Sequence, residues 1–355
     1  MKIGFIGLPK SGKTTLFNAL TGSSAAVSAF STGRVGSNLA SVKVGDERVE
    51  KLAAIYRPKR QVYPTIDIVD LAGINEGDGR ADAFSGELMK LARTVEALAI
   101  VLRNFKSDLL GEPHPLEDLK KIEEELLLGD LIIAEKRLEK IANNTRKGIL
   151  TPAQKLEEQT LRLIVEALNN GQPARQLELD QNQELAIRCF QFLTRKPAIV
   201  ILNSDETSFG KNKDLLDEIS QKYRAVEFAG QFELELSQLD QESARAFMED
   251  MGIKESARDR LTALAYEALG YISFFTVGED EVRAWNIRRG ATALEAAATI
   301  HTDLARGFIA AECFHYNDLM EAGSDQAVRS NGHFKLVGKD YVVRDGDILS
   351  IRFNV

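Results

Sequence analysis

The first 22 residues constrain this chain more tightly than any other stretch. MKIGFI is a short apolar run, LPKSGK a turn and TTLFNALTG a helical segment. Together they place Gly7, Gly12, Lys13 and Thr14 in the spacing Gly-x4-Gly-Lys-Thr, within the strand–turn–helix setting that a phosphate-binding P-loop requires. Each residue type has a physical reason. Glycines let successive backbone N–H groups converge on phosphate oxygens, where a Cβ would block the approach. The helix that starts near Gly12 aims the positive end of its dipole at the same oxygens. The Lys13 ammonium is expected on the β- and γ-phosphates of a purine nucleoside triphosphate, and the Thr14 hydroxyl on Mg2+. A plain glycine turn does not call for a lysine and a hydroxyl at these two places.

Such a site needs a Mg2+-associated carboxylate on a neighbouring strand. TIDIVD (65–70) alternates like a strand and leads into Asp70-Leu71-Ala72-Gly73. Asp70 is expected to hold the water shell of Mg2+, and the Gly73 N–H to sense the γ-phosphate. A strand-end cap is the plainer role for Asp70. Between the two motifs lies SSAAVSAFSTGRVGS, small and polar, suited to a loop that orders around a γ-phosphate and Mg2+. Thr32 is its first candidate for a sensing hydroxyl; Ser28, Ser31 and an inert surface loop stay open as alternatives. Two further apolar runs, ALAIVLRNF (97–105) and AIVILN (198–203), read as strands. The second ends in Asn203-Ser204-Asp205-Glu206. GTPases read guanine here with Asn-Lys-x-Asp, whose Asp accepts from N1–H and the 2-amino group. Ser204 replaces that Lys, and Glu206 carries its carboxylate one methylene further out, which misplaces it for guanine. ATP is therefore expected over GTP.

The charge balance narrows the partners. Lys and Arg number 45 against 53 Asp and Glu, a net charge of −8, so a generally basic nucleic-acid footprint is absent and sequence-specific DNA binding is not expected. No stretch approaches the ~20 apolar residues of a membrane span, and the first residues lack the apolar core and cleavage site of a signal peptide. Cys189 and Cys313 form no Cys-x-x-Cys, and with four scattered His a zinc site is not expected. Both cysteines are expected to be reduced and semi-buried, in a cytoplasmic protein.

Residues 115–196 follow a helical period. LEDLKKIEEELLLGDLIIAEKRLEKIA sets apolar residues three and four apart, with Glu and Lys opposite. After a break at 143–151 comes PAQKLEEQTLRLIVEALNNG, where Pro152 following Thr151 marks a helix start. The pair is expected to form an antiparallel hairpin with a solvated charged face. From Tyr271 the texture changes to short β-branched runs about a turn at 278–280, then TALEAAATIH, then strands ending on Asp345-Gly346-Asp347. That pattern fits a β-grasp module. Arg283, Arg288 and Arg289 form either a local face for RNA or plain exposed strand charges. Trp285 is expected to pack on the sheet.

Taken together these runs resemble the YchF subfamily of Obg-related P-loop ATPases over nearly the whole length. GLPKSGKTTLFNALTG is similar to the family's GLPNVGKSTLFNALT. DERVEKLAAIYRPKR, DIVDLAG, NSDE and the C-terminal FFTVGEDEVRAWNIRRGATALEAAATIHTDLARGFIAAE and KDYVVRDGDILSIRFNV stand where the family has their counterparts. The resemblance implies an α/β fold in three parts: a P-loop NTPase G domain (1–112 and 197–268), an inserted α-helical hairpin (113–196) and a C-terminal ubiquitin-like β-grasp domain of the TGS type (269–355). It also implies ATP binding and hydrolysis with Mg2+, and association with the ribosome or another ribonucleoprotein. The implied nucleotide contacts are Gly7, Pro9, Lys10, Ser11, Gly12, Lys13, Thr14, Thr15, Asn203, Ser204, Glu206 and Gly230. The metal contacts are Thr14, Thr32 and Asp70, and the catalytic group is Lys13, Thr32, Gly73 and His114.

Three departures from the family pattern bear on mechanism. Lys10 replaces the family's Asn, which in potassium-dependent relatives helps to hold a monovalent cation beside the phosphates. A Lys ammonium is able to take that cation's place, so hydrolysis without K+ is expected; a side chain that points to solvent is the plain alternative. GINEGDGRADAFSG follows Asp70 in place of a glycine-rich loop, and sets Ile74 where Ras-like enzymes carry a catalytic Gln. An Ile side chain cannot orient water. The family's His-Val-Gly after the third strand becomes KSDLLGEPHP, which leaves His114, beside Pro115, as either a swinging catalytic group or a solvated loop residue. The SAK-like base loop is lost, with Ala229-Gly230-Gln231 in its place, from which backbone N–H groups are still available to the base. The leading expectation is an ATPase whose nucleotide state controls docking. The alternative is a nucleotide-dependent binding module with little or no hydrolysis. A metabolic kinase would need an acceptor lid with clustered Arg, which the helical insert lacks.

Overall fold

A computed structural model of the chain describes residues 1–22, 38–71, 86–145, 148, 151–250 and 255–354. The described strands are, in chain order, β1 (Lys2–Ile6), β2 (Asn38–Lys43), β3 (Arg60–Val62), β4 (Thr65–Asp70), β5 (Ala97–Asn104), β6 (Ala198–Ser204), β7 (Arg224–Phe228), β8 (Tyr271–Thr276), β9 (Glu281–Arg288), β10 (Phe308–His315), β11 (Lys335–Val337) and β12 (Asp347–Phe353). The first five helices are α1 (Lys13–Thr21), α2 (Glu47–Tyr56), α3 (Gly86–Arg93), α4 (Pro115–Thr145) and α5 (Pro152–Asn169). By contact the chain divides into two units, residues 1–41 with 67–257 and residues 42–66 with 258–355.

The first unit is an α/β fold with helical insertions. Its sheet runs β2-β4-β1-β5-β6-β7. β1 pairs in parallel with β4 and β5, and β5–β6 and β6–β7 continue the parallel run. β5 is buried at every position and β1 at all but its first, which explains their near-continuous aliphatic sequences. Parallel pairing brings the C-terminal ends to one edge: Phe5 stands opposite Asp70, Asn104 opposite Ser204 and Asn203 opposite Phe228. Loops that leave those ends meet where open parallel sheets bind ligands.

α4 and α5 form the expected helical hairpin. Gln154 N donates to Thr151 Oγ1 (3.3 Å) and Thr151 N to Gln154 Oε1 (3.0 Å), a capping box that starts α5 with Pro152 in its first turn. Ala134 and Ile141 of α4 pack with Leu161, Ile164 and Leu168 of α5 and with Phe192. Arg137 clasps Glu157 through two hydrogen bonds of 2.6 and 2.8 Å. A polar knot at Asp130 ties the hairpin to the sheet domain. This fully buried carboxylate accepts from Arg93 Nη1 (2.7 Å), Leu193 N (3.0 Å), Thr194 N (2.7 Å) and Thr194 Oγ1 (2.7 Å). It thereby joins α3, α4 and the return into β6. Lys196 Nζ donates to the carbonyls of Arg93 (2.9 Å) and Val95, and burial lowers its pKa.

The second unit is β-rich. Its sheet runs β11-β10-β12-β8-β9-β3. β8 and β9 form an antiparallel hairpin, β12 lies parallel to β8, and β10 is antiparallel to β12 and β11. The resemblance sets residues 42–66 and 258–268 in the first domain, whereas by contact they cluster with the C-terminal segment. The physical reason is specific. Val49 and Leu52 of α2 are fully buried against Phe275, Val282 and Ile348. Arg48 bridges Asp46 (2.8 Å) and Asp345 (2.8 Å), and its guanidinium lies 4.9 Å from the Phe275 ring centre. Tyr56 donates to Asp325, and β3 pairs in parallel with β9. Trp285 packs on the sheet as expected: it stacks on Phe274 and donates from Nε1 to Thr276 Oγ1 (3.0 Å). Arg283 covers the Trp285 ring at 3.8 Å, and Arg288 lies over Tyr271. The cysteines differ from expectation. Cys313 is buried, and burial pushes its thiol up to about 12, whereas Cys189 is exposed rather than semi-buried. Among the described residues no helix is long and apolar enough to cross a membrane.

Candidate functional site

The candidate site grows from the turn after β1. At Gly7 a Cβ would lie 2.4 Å from the Val101 carbonyl oxygen of β5, so only glycine fits. Gly12 has φ +87°, and a Cβ there would stand 2.0 Å from Asn203 Nδ2. Between them Lys10 adopts φ 62° with an exposed side chain. That left-handed conformation costs an ordinary L-residue about 1–2 kcal/mol. Pro9 is exposed, Ser11 is buried and Thr15 is half-buried.

Lys13 opens α1 and is only 6% exposed. Its Nζ donates to the carbonyls of Gly7 (3.0 Å) and Leu8 (2.7 Å), which holds the ammonium against the loop. Burial lowers its pKa to about 8, against the opposing pull of the Asp70 carboxylate. Thr14 Oγ1 donates to Asp70 Oδ2 at 2.9 Å. The first turn of α1 and the end of β4 thus present a hydroxyl and a carboxylate side by side, hard oxygen donors of the kind that suits Mg2+.

Asn203 joins the two ends of the site. Its Nδ2 donates to Ser11 O (3.0 Å) and its Oδ1 accepts from Gly230 N (3.0 Å). A Cβ at Gly230 would lie 2.5 Å from that same Oδ1, so glycine is required there too. The Gly230 N–H, expected to be available to the base, is given to Asn203 instead. Ser204 is also turned inward. It is 3% exposed, its hydroxyl donates to Glu227 Oε1 (2.5 Å) and it accepts from Asn104 Nδ2 (2.9 Å). Glu206 is exposed.

His114 is exposed and directly precedes α4, where its carbonyl accepts from Asp118 N (3.0 Å). The segment before it is held by Arg103, a buried residue of β5. Arg103 Nη1 donates to Phe105 O (2.8 Å) and Gly111 O (2.9 Å), and Nη2 to Glu112 O (2.9 Å). Thr32 and Gly73, with Ser28, Ser31 and Ile74, lie outside the described residues. Sequence reasoning missed Glu227, Asn104 and Arg103. The one available signal was a charged residue within a largely apolar run, the Glu of RAVEF or the Arg of ALAIVLRN.

Comparison with known proteins gives a consistent result. Residues 2–141 match the family model described as 50S ribosome-binding GTPase, and residues 271–354 match the C-terminal model of YchF GTPases, described as a protein of unknown function. The ribosome-binding ATPase YchF of Pasteurella multocida is 34% identical over 362 residues, which covers 100% of this chain and 99% of the relative. That of Bacillus subtilis is 34% identical over 364 residues, covering 99% of each. The solved structure of the Schizosaccharomyces pombe YchF GTPase is similar with a TM-score of 0.86 at 31% identity, over 99% of this chain and 97% of that chain. One name says ATPase and another GTPase, so the names leave the choice of base to the site.

Proposed function

The chain belongs to the YchF family of P-loop NTPases, and on that premise we propose that it is a cytoplasmic, slowly turning ATPase, with weaker GTP use, whose nucleotide state controls association with the ribosome. The observation that carries this reading is the Thr14–Asp70 hydrogen bond beside the buried Lys13 ammonium. Backbone N–H groups from Gly7 to Thr15 bind the phosphates, with Pro9, Lys10 and Ser11 in the same loop. Lys13 places positive charge where the γ-phosphate leaves. Thr14 and Asp70 would hold Mg2+, with Thr32 as a further ligand. The bound metal would neutralise charge on the β- and γ-phosphate oxygens. Asn203 fixes the loop from the base side, and Glu206 faces adenine. Because Ile74 cannot orient water, that task falls to His114, to the Gly73 N–H or to the ribosome.

Lys10 takes the place of the monovalent cation of relatives, from an exposed position in the turn between Gly7 and Gly12. The C-terminal sheet supports a TGS-type β-grasp domain at 269–355: a hairpin, a helix, and β12 parallel beside β8. The hairpin at 113–196 then interrupts a G domain assigned to 1–112 and 197–268, of which 42–66 and 258–268 cluster by contact with the C-terminal segment. A second reading, a nucleotide-dependent binding module with little hydrolysis, draws support from Arg103, which ties down the segment leading to His114.

Single-turnover hydrolysis of ATP and GTP, with and without ribosomes and in Na+ or K+, tests these readings together. Faster ATP than GTP turnover, stimulated by ribosomes and equal in both salts, is expected. Tight ATP binding without turnover in any condition would establish the binding module. A GTP preference would sink the base assignment, and a tenfold K+ stimulation would sink the role of Lys10.

A further inference from the structure

The loop that follows β6 hangs from a single buried carboxylate contributed by β7. Glu227 is 8% exposed. It collects three donors: Ser204 Oγ at 2.5 Å and Asn212 Nδ2 at 2.6 Å on Oε1, and Gly210 N at 3.0 Å on Oε2. Ser204 has one hydroxyl hydrogen, and it is committed to Glu227 because Asn104 Nδ2 already donates to the same oxygen from β5. The loop is therefore gripped at Ser204, where β6 ends, and at Gly210 and Asn212 near its far end.

Its interior is closed as well. Asp205 Oδ1 accepts from Ser208 N (2.8 Å), Ser208 Oγ (2.9 Å) and Thr207 Oγ1 (2.7 Å), and these hydrogen bonds hold its carboxyl below the usual range. Asn212 Nδ2 donates also to Ser208 O (2.7 Å), and Lys211 Nζ to Thr207 O (2.7 Å). Among the described residues Glu206 makes no hydrogen bond or ion pair, and it is exposed. The loop is a frame that presents one carboxylate.

We propose that Glu227 is the positioning residue for base recognition: by gripping Ser204, Gly210 and Asn212 it fixes where the Glu206 carboxylate meets the purine. This rests on the reading above that Asn203 to Glu206 faces adenine. The chemistry requires a carboxylate. Three donors converge, and only an acceptor-only group with two oxygens satisfies them all. Gln is nearly isosteric, yet its NH2 must oppose a donor, so Glu227→Gln breaks the grip while keeping the packing volume.

The test is equilibrium binding of ATP, GTP and inorganic tripolyphosphate to the full chain and to Glu227→Gln. Tripolyphosphate reports the phosphate loop alone. In Glu227→Gln, the ATP Kd is expected to rise about tenfold, the preference for ATP over GTP to fall to about twofold, and the tripolyphosphate Kd to stay within about twofold. Ser204→Ala, which removes one donor and leaves the carboxylate, is expected to weaken ATP about threefold with the same tripolyphosphate control, and it serves alone where Glu227→Gln fails to fold. An ATP affinity and preference unchanged by both variants, in a parent that prefers ATP, overturns the positioning role. So does an equal loss of tripolyphosphate, which would mark general loosening. A parent chain that prefers GTP overturns the adenine reading itself, and this inference with it.

Discussion

The two ends of the candidate site are built by different means. The phosphate end is made of backbone: Gly7 and Gly12 occupy places that a Cβ cannot enter, and the start of α1 supplies the dipole. Its side chains, Lys13 and Thr14, lie in the same short segment, with Asp70 as their distant partner among the described residues. The end proposed for the base is made of side chains drawn from three strands. Asn104, Ser204 and Glu227 meet although they lie 100 and 23 residues apart, and Asn203 reaches 192 residues back to Ser11. A backbone-built site tolerates little variation, because its geometry belongs to glycine itself. A side-chain-built site is free to change its members provided that donors and acceptors still match. That difference explains why the P-loop follows a general pattern while the base loop departs from Asn-Lys-x-Asp at Ser204 and Glu206.

Substitutions should separate the ends, starting with the largest effect. Lys13→Ala removes the charge that faces the phosphates and should weaken ATP and tripolyphosphate alike, by about a hundredfold or more, in a fluorescence titration. A variant that loses ATP but keeps tripolyphosphate would break the comparison. Asn203→Ala tests the joint. It leaves Ser11 O and the buried Gly230 N without their partner, at about 1–3 kcal/mol each, so Tm should fall and both ligands should weaken about tenfold. Loss of ATP alone would assign Asn203 wholly to the base end and make the separation sharper.

The pH dependence belongs to the phosphate end. The Lys13 pKa is lowered to about 8, and phosphate binding needs the protonated form. Affinity for both ligands should be flat below about pH 7 and fall about fivefold between pH 8 and 9, as isothermal titration would show. In the ligand-free chain the unfolded state, with Lys13 near 10.5, binds more protons between these two pKa values, so this residue's contribution to stability rises with pH across that window. A Kd that stays constant to pH 9.5 would remove Lys13 from the contacts. The smallest effect is expected from Lys10→Asn. Asn enters the left-handed region more easily than Lys, so the variant should gain about 1 kcal/mol of stability by thermal unfolding. It should also acquire a K+-stimulated rate.

Much of this protein was determined by sequence alone. The P-loop, the strand ending on Asp70, the hairpin helices with the Thr151 cap and the β-rich C-terminal region are local patterns, in which period, glycine placement and capping residues act within a few positions. The tertiary structure decided what depends on distant partners. It placed residues 42–66 with the C-terminal segment, because the apolar face of α2 and the donors of Arg48 find their complements there. It turned the Gly230 N–H toward Asn203, tied the segment before His114 to Arg103, and gathered Ser204, Gly210 and Asn212 on Glu227. A buried donor or acceptor must be paired, but the sequence does not say with which partner; only the register of the parallel strands, which sets Asn104 beside Ser204, brings the partners within reach.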